Sequence, residues 1–493
     1  MVRIERLSGW FSVNNLRIMR GVKRIVKRVA LLIGGLALLY AAVWFIGLRW
    51  GFTPLPKLPR GVRIEPLFPP LARKDLKPDN AAFLYLKADD LLTNYTPFKS
   101  HLKSEESMGQ MEALLAGETS GDTKAIEHTL ADCREALDLG REASDMSFCQ
   151  MPLMTWDLTF PHRALQLARL LVADGKLAQR NGDSGRAITN YLAAVKLGTD
   201  CSKGGAILQS LVGTAIIDMG SQAIRAWILQ TATTREATAG ILESLSRDDH
   251  ERTPYTETLR NELKFAKGEV RHQILEEAGP WGRTLYSKRV TDCYLDAAFG
   301  DLIQESDKSF WQSDAKSVVE RWLPEGRQPF LSPLNRPMQR VLIEILFPAI
   351  EGTRRRVTRA ELDLTATEIV CALKTYEIAN GKPPEQLIGL VPKFLPTIPI
   401  DPFDGKPLRY RSDGTNWVIW SVGSDLKDDD AAWHEFKYLG IEEERKGGDI
   451  FFKSTEPQDD LTYYLTHKDF RGRRGRVLPS NTPVAVSKSP AGE

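Results

Sequence analysis

The chain has 493 residues, 42% of them apolar and 26% charged, with 66 basic against 64 acidic side chains for a net charge of +2. That length exceeds what one core fills, so two or three domains are expected. The near balance of charge excludes a nucleic-acid-binding body, and the ordinary composition excludes a disordered chain or a polytopic membrane protein.

Residues 1–28 are a basic segment in which Arg3, Arg6, Arg17, Arg20, Lys23, Arg24, Lys27 and Arg28 stand against a single Glu5. Val29–Leu48 then runs for 20 residues without a charge, and as a helix it would cross about 30 Å of hydrocarbon. Trp44, Phe45 and Trp50 gather toward one end, where an interfacial belt is expected. The positive-inside rule keeps the N-terminus in the cytoplasm and exports the chain beyond Leu48. Arg49-Trp50 comes directly after the apolar run, which favours an uncleaved signal anchor over a cleaved signal peptide.

Between Gly51 and Pro78 there are seven prolines in 28 residues. Such a segment cannot pack as a helix and favours extended polyproline II. Residues 49–78 are therefore expected to form a stalk holding the body off the bilayer.

Residues 79–350 read as an α-helical domain. Its clearest piece is Ala164–Leu197, where two apolar-periodic runs flank "NGDS" at Asn181–Ser184, a helix–turn–helix pattern. Gly175, Ala187, Tyr191 and Ala194 place small residues where two helices approach closely, with Tyr191 filling the gap between them. This hairpin resembles a tetratricopeptide repeat, except that Asp174 stands where the repeat has Leu. With no second copy at a 34-residue period, a solenoid-like helical body is expected rather than a full peptide-binding array. The five cysteines form no CxxC. Buried free thiols are the ordinary reading, with one non-local bridge left open for an exported domain. The seven histidines are scattered; His162 and His434 read as structural or surface residues.

Residues 351–455 read as a small α+β module. Leu362, Ala366, Ile369, Leu373 and Tyr376 lie on one face of an amphipathic helix. It starts either at a Thr358/Glu361 capping box or earlier, running through Arg354–Arg356. Gly381 followed by Pro383 and Pro384 ends it. Asp404-Gly405 and Asp413-Gly414 supply tight turns around the strands "LRYR" and "NWVIWS", and "GGDIFF" at 447–452 can add a third strand. Residues 456–493 read as a disordered basic tail.

The order Asn380-Gly381, Pro384, Phe394-Leu395, Pro399, Asp401-Pro402-Phe403, Gly405, Pro407, Tyr410, Trp420-Ser421, Gly423 and Asp425 resembles the C-terminal half of the major pseudopilins of type II secretion systems. The likeness covers about 100 residues and bears on fold more than on function. The whole chain also resembles large membrane-anchored bacterial proteins. The pseudopilin resemblance implies a structural Ca²⁺ in the loop after the second strand, with Asp425, Asp428, Asp429, Asp430 and Asp449 as hard oxygen donors. Here the loop reads "SDLKDDD", without the glycines that bend it around an ion, so a solvated acidic loop stands beside that reading. Consecutive aspartates splay outward rather than face each other across a cleft, and no HExxH, GxSxG, Walker A or GxGxxG occurs in a supporting context.

The expectation is a single-pass protein of the bacterial inner membrane with a periplasmic body. It is mainly α, with a TPR-like or solenoid-like body and a C-terminal pseudopilin-like module carrying a small antiparallel sheet. Its expected role is a non-enzymatic envelope scaffold with protein partners, accessory to a secretion or pilus-like system. The alternative is an exported enzyme whose site lies in the helical body.

Overall fold

The computed structural model describes residues 56–94, 123–153, 159–231, 233–250, 252–272, 276, 288–322, 337–428 and 450–453. The sequence-predicted span Val29–Leu48, the acidic residues Asp429, Asp430 and Asp449, and the tail 456–493 lie outside these residues. The described chain is mainly helical, with one small antiparallel sheet.

In chain order the helices are α1 (Ala81–Asn94), α2 (Lys124–Asp132), α3 (Arg134–Ser144), α4 (Thr159–Arg180), α5 (Ser184–Cys201), α6 (Ile207–Gln230) and α7 (Arg235–His250). Then come α8 (Tyr255–Phe265, extended by a π-helical turn at Ala266–Val270), α9 (Lys288–Ser306), α10 (Ala315–Trp322) and α11 (Pro337–Asn380). The strands are β1 (Arg409–Ser412), β2 (Trp417–Ser421) and β3 (Ile450–Lys453), in the order β1-β2-β3 with both pairs antiparallel.

The α4–α5 hairpin turns where the sequence places its turn. Gly182 takes φ +79°, and the Asp183 carboxylate accepts the Arg186 N–H at 3.0 Å to cap α5. A Cβ on Gly175 would overlap the Tyr191 ring, so only glycine admits this approach. Asp174, the departure from the repeat pattern, has a physical reason. Its buried carboxylate accepts from Arg141 at 2.7 Å and from Asn190 at 2.7 Å, and is paired with Arg186 at 2.5 Å. A leucine there could serve none of them.

Helix α6 packs on α5 through Gly198 and Gly213, where a Cβ on either would meet the other's carbonyl oxygen within 2.7 Å. Among the described residues α6 is long and apolar enough to cross a membrane, but it is mostly buried inside the protein, as a core helix is.

Two apolar clusters organise the described residues. The larger joins α1 to α7, the C-terminal half of α11 and the inner side of the sheet; the smaller joins α8, α9, α10, the start of α6 and the N-terminal half of α11. At 44 residues, α11 is about 66 Å long, and it enters both clusters, through Phe347 and Ile350 in one and Leu362 to Leu373 in the other. It passes residue 350 without a break, so Thr358 lies inside the helix and caps nothing. The reason is tertiary. Arg354 donates to the Ser313 hydroxyl and the Glu305 and Lys308 carbonyls, and sits 5.7 Å over the Phe310 ring. The C-terminus of α11 is where the sequence puts it, with Gly381 at φ +78°.

The Pro-rich segment is irregular along 56–78, with a turn at Arg60–Gly61, where Gly61 has φ +79°, and a 3₁₀ turn at Arg73–Asp75. It does not stand off as a stalk: it lies along the body. Glu257 of α8 accepts the Leu67 N–H, Arg260 donates to the Arg63 carbonyl at 3.0 Å, and Gln150 donates to the Pro69 carbonyl at 2.8 Å. Val62 and Ile64 pack on the smaller core. A chain with few N–H groups of its own is held by side-chain donors and acceptors from α8 and from Gln150. All five thiols are free, four of them buried.

Candidate functional site

The C-terminal module gathers charge at one edge of its sheet. The Ile400–Pro407 bridge and the Asp401 N–H to Lys406 carbonyl bond of 2.7 Å close a tight loop. Gly405 within it has φ +73° and lies against the Trp311 ring, which leaves no room for a Cβ. Beside it Phe403 packs edge-on against Phe310 at 4.9 Å, fixing the loop to the helical body.

Asp401, fully buried, points into the module. It accepts from Phe403 N at 2.9 Å, Ser421 Oγ at 2.8 Å, Val422 N at 3.1 Å and Arg409 Nη1 at 2.9 Å. Burial pushes its carboxyl up, and the hydrogen bonds offset this only in part. Asp404 accepts from Arg409 and from Lys406 N; burial works upward on it too, but these donors outweigh it and hold its pKa below the usual carboxylate value. On β1, Arg409 lies opposite Trp420 of β2. Its Nε donates to Asp428 at 3.1 Å, and Trp420 Nε1 donates to the other Asp428 oxygen at 3.0 Å. One guanidinium thus gathers Asp401, Asp404 and Asp428. Burial disfavours its charge, but the three carboxylates outweigh that and raise its pKa.

Of the five aspartates named from sequence, Asp425 and Asp428 are described. They do not converge: Asp425 accepts the N–H of Lys427 at 3.2 Å, whereas Asp428 joins the Arg409 cluster. Of the cluster's other members, Asp404 and Arg409 were legible only as turn and strand residues, and Asp401 only as a turn residue and a position of the pseudopilin-like order. Their one signal was an Arg at the first strand position after a loop carrying two aspartates. In this cluster the guanidinium occupies the place among the oxygens that a hard cation would take. Among the described residues no group of three or more His, Cys, Asp or Glu is arranged to hold a metal.

Besides the Asp174 cluster, two polar centres stand out among the described residues of the body. Asp200 of α5 is fully buried; it accepts from Tyr85 at 3.1 Å and pairs with Lys196 at 3.0 Å and Lys203 at 2.9 Å. Burial, then the Asp200 charge, pushes the Tyr85 hydroxyl well above its usual pKa, and burial does the same to the neighbouring Cys149 and Cys201 thiols. Burial of this kind disfavours the thiolate at both positions.

The second centre is the seam between α6 and α11. There Arg225 donates to Thr367 Oγ1 at 2.9 Å and to the Asp363 carbonyl at 3.3 Å, and Arg359 Nε lies 3.3 Å from the Asp363 carboxylate. Burial first, and then the Asp363 charge, raises Asp218 on the same seam to about 7. No protein-family model, curated protein or solved structure matches the chain.

Proposed function

We propose that this chain is a membrane-anchored scaffold of the bacterial cell envelope, with protein partners in a secretion or pilus-like system. Val29–Leu48 is its single span, the N-terminus is cytoplasmic, and the helical body and pseudopilin-like module are exported. The observation that carries this reading is the way the module's charge is used. Asp401, Asp404 and Asp428 are drawn together by Arg409, so they tie loop, strands and acidic segment into one rigid unit. A carboxylate pair for hydrolysis has instead to face substrate across a cleft. Rigidity suits a docking platform, and the module leaves Ile378, Ile388 and Ile400 exposed, side chains of the kind that anchor protein contacts.

The test is crosslinking in intact cells, followed by detergent purification and identification of the adducts. Pilin-like or secretion subunits are expected, and Ile388→Glu should deplete them. Recovery of the protein alone overturns the accessory role.

The second reading, an exported enzyme, draws on Asp218, whose pKa of about 7 beside a second carboxylate is the kind of perturbation an acid–base group needs. It would be supported by an activity that titrates near pH 7 and is lost in Asp218→Asn.

A further inference from the structure

We propose that the outer edge of the Pro-rich strap, Lys57, Arg60 and Arg63 together with Leu67 and Phe68, is a bilayer-facing surface that lies on anionic lipid headgroups. This rests on the membrane-anchor reading above. Eight peptide steps separate Leu48, the end of the predicted span, from Pro56, where the described strap begins. In no conformation do they cover more than about 29 Å. Because the strap is docked and not free, this limit applies to the body as well. Leu58 and Pro59 press on Gly300 of α9, where an added Cβ would lie 2.5 Å from Leu58. Glu257 and Arg260 of α8 hold the strap backbone at Leu67 and Arg63. The end of the body formed by α8 and α9 is therefore the end next to the membrane.

The strap is two-sided. Leu58, Val62 and Ile64 are partly buried, and the last two belong to the smaller core, while Lys57, Arg60 and Arg63 are exposed. Glu65, the acid on that edge, is paired with Lys264, so the edge presents net positive charge. Leu67 and Phe68 come next, at 60% and 49% exposure. Basic side chains beside exposed apolar ones suit the boundary between anionic headgroups and acyl chains.

The test uses the full-length protein in nanodiscs containing phosphatidylglycerol, with the photo-crosslinking residue benzoylphenylalanine at position 60, 68 or 181. Position 181 lies at the opposite end of α5 from Cys201, about 27 Å along that helix, and Cys201 is on the strap's side because Lys203 and Pro69 both bond to the 150–151 segment. Lipid adducts several-fold more abundant at 60 and 68 than at 181 are expected. In the triple variant Lys57→Glu, Arg60→Glu, Arg63→Glu, the yield at 68 should drop several-fold. Equal yields at all three positions, or adducts to protein in place of lipid at 60 and 68, would overturn the proposal while the chain still resists alkaline extraction. If the chain is released by alkali, the span itself is wrong, and the bilayer-facing surface is refuted with it.

Discussion

Asp200 in the body and Asp401 in the module are both fully buried carboxylates met by cations, but the ratio is reversed. Two ammonium groups and a tyrosine hydroxyl close on Asp200, and neither lysine is more than 14% exposed. In the module one guanidinium gathers three carboxylates, with Lys406 3.9 Å from Asp404 as a second cation, and one of the three, Asp428, is 46% exposed. The body encloses its acid among buried partners. The module's cluster instead reaches the surface at Asp428, so solvent and salt act on it more strongly than on Asp200.

The sharpest test is Asp200→Asn, which leaves two buried ammonium groups facing a neutral amide. A loss of about 3–5 kcal/mol is expected in denaturant unfolding. A loss below about 1 kcal/mol would mean that the lysines relax to solvent and that the knot is not sealed.

Glu262 supplies the case of a buried carboxylate met by a backbone group, since it accepts the Ile207 N–H at 2.9 Å at the start of α6. Burial raises it from 4.5 to about 7 despite that bond. Between those values the folded chain holds a proton that the unfolded chain has released, so stability falls as pH rises through the window and the full penalty applies above pH 7. The drop is about 3 kcal/mol. Glu262→Gln should lower the slope between pH 4.5 and 7, leaving the part that the raised Asp218 contributes, and an unchanged slope would refute the assignment.

Arg409→Gln should cost about 2–3 kcal/mol, because Asp401 is left buried beside Asp404 without its cation. The same variant should gain a thermal shift on adding Ca²⁺ that exceeds the wild type's. A large wild-type shift would instead reveal an ion held by Asp425 with acids outside the described residues. Asp428→Asn, at the open side, should cost about 0.5–1 kcal/mol and less at high salt.

The features legible in the sequence were those set within a few residues. The α4–α5 turn at Gly182, the close approach of Gly175 to Tyr191, the end of α11 at Gly381 and the hairpin turn at Gly414 (φ +90°) are each dictated locally. What escaped depends on distant partners. Of the two helix starts the sequence left open, the Thr358/Glu361 cap loses to the helix that runs through Arg354–Arg356, because Arg354 is bound more than 40 residues upstream. The proline run was readable as unable to pack as a helix, but its turn at Gly61 and its docking were not, and the docking depends on Glu257, 190 residues from Leu67. Arg409 reads as an ordinary outward strand residue until the sheet brings Asp428 beside it, 19 residues on.

The uninterrupted course of α11 through both cores makes it a shaft with a fixed phase. Each residue of an α-helix advances about 100° and 1.5 Å. Deleting one residue between Ile350 and Ala360 would therefore turn the sheet by more than a quarter revolution relative to α8–α10, carrying Phe403 away from Phe310. Insertions should be harmless at the Asp413–Gly414 hairpin and ruinous in that stretch, so spacing along this helix, more than the identity of its exposed residues, sets the angle at which the module is presented.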